Sequence, residues 1–382
     1  MPIYHAIGDA LVSEKEMKEK IALGDIEKFK IAISSAVLTK RKKEPAPLDF
    51  STGRATALDF KPFYISPKRK KLQKFENIDI GKPLSVMIRH VYNGKYGGKW
   101  PDMLVTSAMK SIATYNAMPR AVNFLIKNIS KKRHLSNVSA TEEGTPLVFY
   151  TPALLDENTD ITFEIILDRI PGEIFDSISK AFTTAAGIPI FASQATGLLA
   201  AGIVTKIVKK ILNMIFDGKP VLKVKEPMYF NLAGAPFMEP GFKLVTEEKV
   251  DKEIRKEYKV NEEGKLVHKD NPEKEYEEEY PYLIISLDGR EYKKYERFIP
   301  TAASAVMLEK FYNIKEGQES IEPLIEAITL YNDIQNKNSA DKALSELKKL
   351  TKGTEKYKQK ETLYKAYVAN ILSEEIKKIV QR

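Results

Sequence analysis

Cysteine is absent from this chain of 382 residues. Its absence excludes a disulfide framework, a thiolate zinc site and a cysteine nucleophile, and it favours a reducing compartment. Histidine is scarce as well, because only His5, His90, His134 and His268 are present and none of them forms an HxxxH or HExxH pair. The sequence therefore predicts no metal site. His90 or His134 would act as a general base only beside a carboxylate that the sequence does not reveal.

The sequence motifs of common enzyme and cofactor classes are missing too. There is no G-x-S-x-G, no G-x-x-x-x-G-K-[ST] and no G-x-G-x-x-G. Asp156, Asn158 and Asp160 have a calcium-like D-x-N-x-D spacing, but the glycine and the distal glutamate of an EF-hand do not follow. The first residues lack the cationic start and long apolar core of a secretory signal. We therefore expect a cytoplasmic protein without a cofactor and without enzymatic activity, with a peripheral membrane position as the alternative.

Positive charge is concentrated in one part of the chain. The formal net charge is +9, yet residues 40–143 alone hold 21 basic and 8 acidic residues, an excess of 13. Three clusters there are candidates for binding an anionic surface: Lys40, Arg41, Lys42 and Lys43; Lys68, Arg69, Lys70 and Lys71; and Lys131, Lys132 and Arg133. The functional interpretation is that these clusters contact phosphates, anionic lipid or an acidic protein. The alternative interpretation is that they are solvated charges in loops.

Short apolar or alternating segments, separated by turn residues, fill most of the first three hundred residues. They include 83–92, 102–109, 119–129, 145–155 and 160–170. Three hairpins are predicted: one between 83–92 and 102–109, one within 257–268 and one at Asp288-Gly289. The charged residues 247–281 are predicted to be exposed β-structure. Ser13 and Glu16 have the spacing of a capping box ahead of a short helix.

Residues 181–205 contain no charged side chain, a length that could span a bilayer. Glycines and a proline interrupt them, and the favoured interpretation is an inserted pair of amphipathic helices at about 171–216, buried against the sheet. An interfacial membrane hairpin and a transmembrane helix are the alternatives. The residues predicted to contact a membrane or a partner are the apolar Ile203, Ile207 and Ile211 and the basic Lys206, Lys209 and Lys210.

From residue 301 the apolar period becomes helical. Helices are predicted at 301–313, from Ser320, from Ser339 and continuously over 355–380, which together would make a bundle or an arm. The predicted fold is mainly β, antiparallel and sandwich-like, with the inserted helical pair and a C-terminal α-helical bundle, α+β overall. Two domains are expected, at 1–300 and at 301–382.

These features favour a non-enzymatic interaction or effector protein. Its basic face would dock on an anionic surface or a protein partner, and the helices at 171–216 would make it membrane-active. A nucleic-acid-binding protein and a self-assembling structural subunit are the alternatives. The expected partners are accordingly a protein, a second copy of the chain, anionic lipid or nucleic acid.

Overall fold

A computed structural model describes residues 3–7, 9–13, 16, 75–95, 101–129, 134–136, 143–184, 187–191, 219–230, 238–247, 251–310 and 322–380. This part of the chain is an α+β protein whose strand pairs are all antiparallel. The α+β class predicted from the sequence is thereby confirmed.

Strands hold more residues than helices do among the described residues up to residue 300. In chain order they are β1 (Ile3–Ile7), β2 (Ala10–Ser13), β3 (Leu84–Tyr92), β4 (Asp102–Met109), β5 (Ala121–Ile126), β6 (His134–Ser136), β7 (Leu147–Thr151), β8 (Asn158–Asp168), β9 (Ile190–Phe191), β10 (Pro220–Tyr229), β11 (Gly241–Thr246), β12 (Tyr258–Val260), β13 (Leu266–His268) and β14 (Tyr282–Asp288). The larger sheet has the order β2-β1-β11-β14-β3-β6, with β7 also paired to β3. The second sheet has the order β10-β8-β4-β5-β9, and β12 pairs with β13.

Six α-helices accompany the strands in the described part of the chain. They are α1 (Gly172–Thr184), α2 (Asp251–Glu257), α3 (Phe298–Lys310), α4 (Glu322–Leu347), α5 (Glu355–Ala369) and α6 (Glu374–Val380). A 3₁₀ turn at Ile112–Thr114 follows β4. Helix α1 was predicted from its period after Pro171, whose fixed φ suits the first turn of a helix. Within the described residues, no helix is long and apolar enough to cross a membrane.

One hydrophobic core contains side chains from both large sheets. Val86 and Ile285 come from the larger sheet, Val105 and Phe163 come from the second, and α3 adds Ala302. A second cluster covers the other face of the larger sheet, where α2 and the β12–β13 hairpin pack on it. A third, smaller cluster joins α4, α5 and α6. Each large sheet is thus buried by the elements around it, which is the main source of its stability.

A β-bulge in β3 decides which side chains reach the outer face of the larger sheet. Opposite β14, Ile88 pairs with Ile285 and His90 with Ile284, so Arg89 is an extra residue. Leu84, Val86 and Ile88 share the inner core, and period-2 alternation alone would place His90 there as well. The extra residue shifts the alternation, and His90 lies instead on the face of Ile284.

Two of the three predicted hairpins are wrong, and the one within 257–268 is confirmed by the pairing of β12 with β13. β3 and β4 belong to different sheets, because β3 pairs with β14, β6 and β7 while β4 pairs with β5 and β8. At Asp288-Gly289, the Gly289 amide donates to the carbonyl of Glu76, and a Cβ on Gly289 would lie 2.0 Å from the carbonyl oxygen of Asn77. The glycine therefore permits a close approach between two segments, and the chain continues into helical structure.

The interpretation of 247–281 as exposed β-structure is also wrong in part. Residues 251–257 are helical, and the β12–β13 hairpin that follows buries Tyr258, Val260 and Leu266 against the larger sheet. The many charged residues of this segment lie mostly on its solvent-exposed side. Its tyrosines and aliphatic residues supply the inward side.

The helical prediction was right in type and wrong in its boundaries. α4 runs through Ser339 without a break, and the predicted helix at 355–380 is interrupted between α5 and α6. The capping box is confirmed, because the Glu16 amide donates to Ser13 Oγ and the Ser13 amide donates to Glu16 Oε2. The rest of that helix, the helix predicted from about 193 to 216 and the start near Ser320 lie outside the described residues.

Candidate functional site

Three neighbouring cavities, two of them lined in part by α4, share some of their lining residues. A cavity of 260 Å³ lies between α4 and the loop that follows β7, and it shares Ile112, Leu155 and Asp156 with a cavity of 390 Å³ near the start of β8. On its other side it shares Glu296, Asp333 and Leu372 with a cavity of 490 Å³. We call the three cavities together the α4 groove. Its shape suits an elongated ligand better than a compact one.

Most of the α4 side chains that line the central cavity are uncharged and polar. Asn332, Gln335, Asn336 and Ser339 line the central cavity, and their spacing of i, i+3, i+4 and i+7 places them on one helix face. At such positions a helix that packs on a core presents apolar residues. Here the side chains are amides and a hydroxyl, which donate and accept hydrogen bonds.

Some of these polar groups are used within the protein, and one is not. The Tyr115 hydroxyl donates to Asn332 Oδ1 at 2.9 Å, and Asn336 Nδ2 donates to the carbonyl of Asn370 at 3.3 Å. Asn332 Nδ2 is buried and has no hydrogen-bond partner in the described part of the chain. Leaving a buried donor unpaired costs about 1–3 kcal/mol, so an acceptor from a ligand would be stabilising there.

Exposed apolar side chains lie beside the groove. Among the described residues, five large hydrophobic side chains are exposed, and four of them are Ile112 at 53%, Leu330 at 54%, Tyr331 at 46% and Ile334 at 42%. Ile112 and Leu330 line the groove, and the other two lie on the same turns of α4. Exposed apolar groups gathered beside a groove are typical of a binding surface.

The groove has more acidic than basic side chains, although the chain as a whole is basic. Lys110 and Arg297 are its cations. Its carboxylates are Asp156, Glu157, Asp160, Glu296, Glu326 and Asp333. Asp156 and Asp333 each accept two hydrogen bonds from neighbouring groups. The other four carboxylates still outnumber the two cations, so the groove favours a cationic ligand.

Asp156 is a structural residue. Its carboxylate accepts from Ser111 Oγ and from the Ile112 amide, both at 2.7 Å, and so holds the start of the 3₁₀ turn. Burial raises the pKa of Asp156 in spite of these two hydrogen bonds. Since both oxygens already have donors, this geometry gives no support to the calcium interpretation of Asp156, Asn158 and Asp160.

A group of two histidines and one glutamate lies on the outer face of the larger sheet. His90 Nε2 is 2.9 Å from His134 Nδ1, and Glu275 Oε2 is 3.6 Å from the same His134 nitrogen. His90 is fully buried, and burial lowers its pKa to about 3, helped by His134 and Lys265. The sequence did not predict this group, because its members are far apart in the chain and the bulge at Arg89 is required to bring His90 to this face.

The residues predicted to bind an anionic surface or a partner all lie outside the described residues. These are the three basic clusters, Lys40 to Lys43, Lys68 to Lys71 and Lys131 to Arg133, together with Ile203, Lys206, Ile207, Lys209, Lys210 and Ile211. Their sites stay predictions. The sequence analysis did not predict the α4 groove, because the apolar period of this segment indicates only a helix and gives no sign that its polar residues line a cavity.

Comparisons of the chain with protein-family models, with curated protein sequences and with solved structures found no match. The function is therefore argued from the geometry alone.

Proposed function

We propose that this chain is a non-enzymatic interaction protein whose α4 groove binds an extended, basic segment of a protein partner. The observation that supports the proposal is the combination, in three neighbouring cavities, of exposed apolar side chains, an excess of carboxylates and a row of uncharged polar side chains on α4, which we call the amide stripe. Each of these three features matches one part of such a segment.

The amide stripe matches a polypeptide main chain. An extended segment presents N–H and C=O groups at regular intervals, and amide side chains both donate and accept. Asn332 Nδ2 needs an acceptor, and a main-chain carbonyl supplies one. Ile112 and Leu330, which line the groove, would then cover apolar side chains of the partner.

The excess of carboxylates favours a partner segment with positive charge. Glu157 and Asp160 lie at one end of the groove, and Glu296 and Glu326 lie at the other. Attraction between these carboxylates and lysine or arginine raises the association rate and weakens with salt. An acidic segment would be repelled.

A peptide library tests the proposal. Displayed random peptides of about ten residues, long enough at about 3.3 Å per residue to follow the groove, are selected on the full chain. We expect enrichment of lysine or arginine together with an apolar residue, and affinity of the enriched peptide that falls with added salt. Glu157→Lys/Glu326→Lys should lower that affinity about tenfold or more, because two attractions become repulsions.

The matched control is Glu262→Lys, the same charge change at an exposed turn outside the groove. It should leave the affinity nearly unchanged. Selection of acidic peptides, no enrichment at all, or equal effects of the groove and control variants would contradict the proposal.

The basic clusters of the chain itself favour a second candidate function, self-association. Segments 38–48 and 66–76 are basic, and the α4 groove is acidic, so one copy could supply the segment that another copy binds. Synthetic peptides of these two segments belong in the same binding assay. If they bind more tightly than any selected peptide, the partner is a second copy of the chain.

We also propose a finer description of the fold. The core shared by both large sheets supports a sandwich, in which the sheets pack face to face. The cluster shared by α4, α5 and α6 supports a small helical bundle at the C-terminal end.

A further inference from the structure

We infer that His90, His134 and Glu275 form a binding site for a divalent transition-metal ion of the Zn²⁺ class. One ligand atom of each residue lies within 4.8 Å of the other two. Two imidazoles and one carboxylate are a ligand set that Zn²⁺ prefers in proteins. The inference does not depend on the proposed function, because none of the three residues lines the α4 groove.

The distances fit a single ion. Zn–N bonds of about 2.0–2.1 Å in tetrahedral geometry put neighbouring ligand atoms roughly 3.3 Å apart. The observed 2.9 Å between the imidazole nitrogens and 3.6 Å between His134 and Glu275 lie on either side of that value. These two distances need shifts of only a few tenths of an ångström, whereas the third, between His90 and Glu275, lies within 4.8 Å and would shorten by rotation of the Glu275 side chain.

The scaffold holds the ligands in place from three segments. His90 lies in β3 and His134 in β6, and β3 pairs with β6 so that His90 is opposite Ser136 and Tyr92 is opposite His134. Glu275 follows β13 and forms a bridge with Val267. An ion at this point would link the larger sheet to the hairpin that covers it.

Groups around the ligands orient them. Ser136 Oγ lies 2.9 Å from His90 Nδ1, so it can accept that N–H and leave the Nε2 lone pair directed at the site. The Tyr92 ring stacks on His134 at 4.5 Å, and the Tyr282 ring stacks on His90 at 5.4 Å. Lys265 forms an ion pair with the other oxygen of Glu275. Metal-binding histidines are held by such neighbours.

The site is open enough for an ion to enter. The side chain of His134 is 16% exposed and that of Glu275 is 25% exposed, which gives the ion an entry path.

The test is metal binding to the full chain without a histidine tag. Zn²⁺ binding is measured by equilibrium dialysis, and Co²⁺ is used as the spectroscopic probe. We expect one ion per chain and the intense visible absorption of tetrahedral Co²⁺. Zn²⁺ should also slow hydrogen exchange in the hairpin at residues 258–276, because the ion joins that hairpin to the sheet.

Four variants test the ligands and the residue that orients one of them. His134→Gln and Glu275→Gln should each weaken Zn²⁺ binding about 100-fold and change the Co²⁺ spectrum. Ser136→Ala should weaken binding about tenfold by loosening His90, and Ser136→Thr should restore it. The Glu275 side chain is 25% exposed, so its variant is expected to fold even if a buried histidine cannot be replaced.

The control is His268→Gln, a histidine in β13 that is outside the group. It should bind Zn²⁺ as the unchanged chain does. Absence of stoichiometric binding overturns the inference. Binding that survives both His134→Gln and Glu275→Gln, or that His268→Gln abolishes, also overturns it.

Discussion

A pair of buried basic side chains makes the stability of this protein depend on pH. His5 in β1 is opposite Lys243 in β11, and both are almost fully buried. Lys243 donates to the carbonyl of Glu239 at 2.7 Å, whereas neither ring nitrogen of His5 has a hydrogen-bond partner in the described part of the chain. Burial lowers the pKa of Lys243 to about 7 and holds the pKa of His5 well below its usual value.

Lys243→Met should therefore remove most of the pH dependence between pH 7 and 9. In the unfolded chain the lysine keeps its proton up to about pH 10, while the folded chain releases it above about pH 7. The unfolded state binds more protons in this window, so the free energy of unfolding rises with pH, by about 2 kcal/mol from pH 7 to 9. Urea unfolding at the two pH values measures the rise.

The methionine variant should be more stable than the unchanged chain at pH 7 and nearly equal to it at pH 10. His5 shifts stability in the same direction, but only below about pH 6.5, where the unfolded histidine takes up a proton. Lys225→Met, at an exposed position in β10, is the control and should keep the original pH dependence. A Lys243→Met chain with an unchanged pH dependence would show that this lysine is charged in the folded protein.

At the scale of residues, the proposed metal site shows which of its features can be predicted from the sequence and which cannot. The alternation of Leu84, Val86 and Ile88 predicts strand β3 correctly. It cannot reveal the bulge at Arg89, because the bulge exists only relative to β14, nearly two hundred residues later. Alternation alone would therefore place His90 on the wrong face of the sheet, and it gives no sign that His134 and Glu275 are its neighbours.

At the scale of elements, helical period locates the C-terminal helices but not their ends. The apolar repeat continues from α5 into α6 because both helices contribute to one cluster, with Ile371 between them. The break comes from distant partners: Asn370 Nδ2 donates to the carbonyl of Ala153 in the loop after β7. Likewise, serine is a common first residue of a helix, but Ser339 lies inside α4, which continues on both sides of it.

Asp333 in α4 stabilises this break. Its carboxylate accepts from the amides of Leu372 and Ser373, each at 2.8 Å, and it is almost fully buried. Asp333→Ala leaves two buried donors without an acceptor, so it should lower the free energy of unfolding by about 2–4 kcal/mol. Urea unfolding measures the loss, and faster hydrogen exchange at residues 372 and 373 locates it.

Asp341→Ala is the matched control, because Asp341 lies on the same helix but pairs with Lys337 at the surface. Exposed pairs of this kind contribute about 0.3–0.5 kcal/mol. If the two variants lose the same stability, the break between α5 and α6 does not depend on Asp333.

At the scale of the whole molecule, α3 connects the sheets to the helices. The Phe298 ring lies 5.5 Å from the Phe149 ring of the larger sheet and 5.8 Å from the Phe191 ring of the second sheet. Ala302 and Ala305 belong to the same core. The boundary predicted at residue 300 is untested, but it falls within this helix. α3 therefore contributes to the core that the two sheets share.

Two core variants distinguish one cooperative unit from two. Phe298→Ala should cost about 3–5 kcal/mol and should speed hydrogen exchange in strands of both sheets together, because its ring contacts each of them. Ile371→Ala removes a fully buried side chain from the separate helical cluster. Its effect on exchange should be largest in α4, α5 and α6 and small in the strands. If Ile371→Ala speeds exchange in the strands as much as in the helices, the chain unfolds as a single unit, and the separate clusters do not correspond to separate domains.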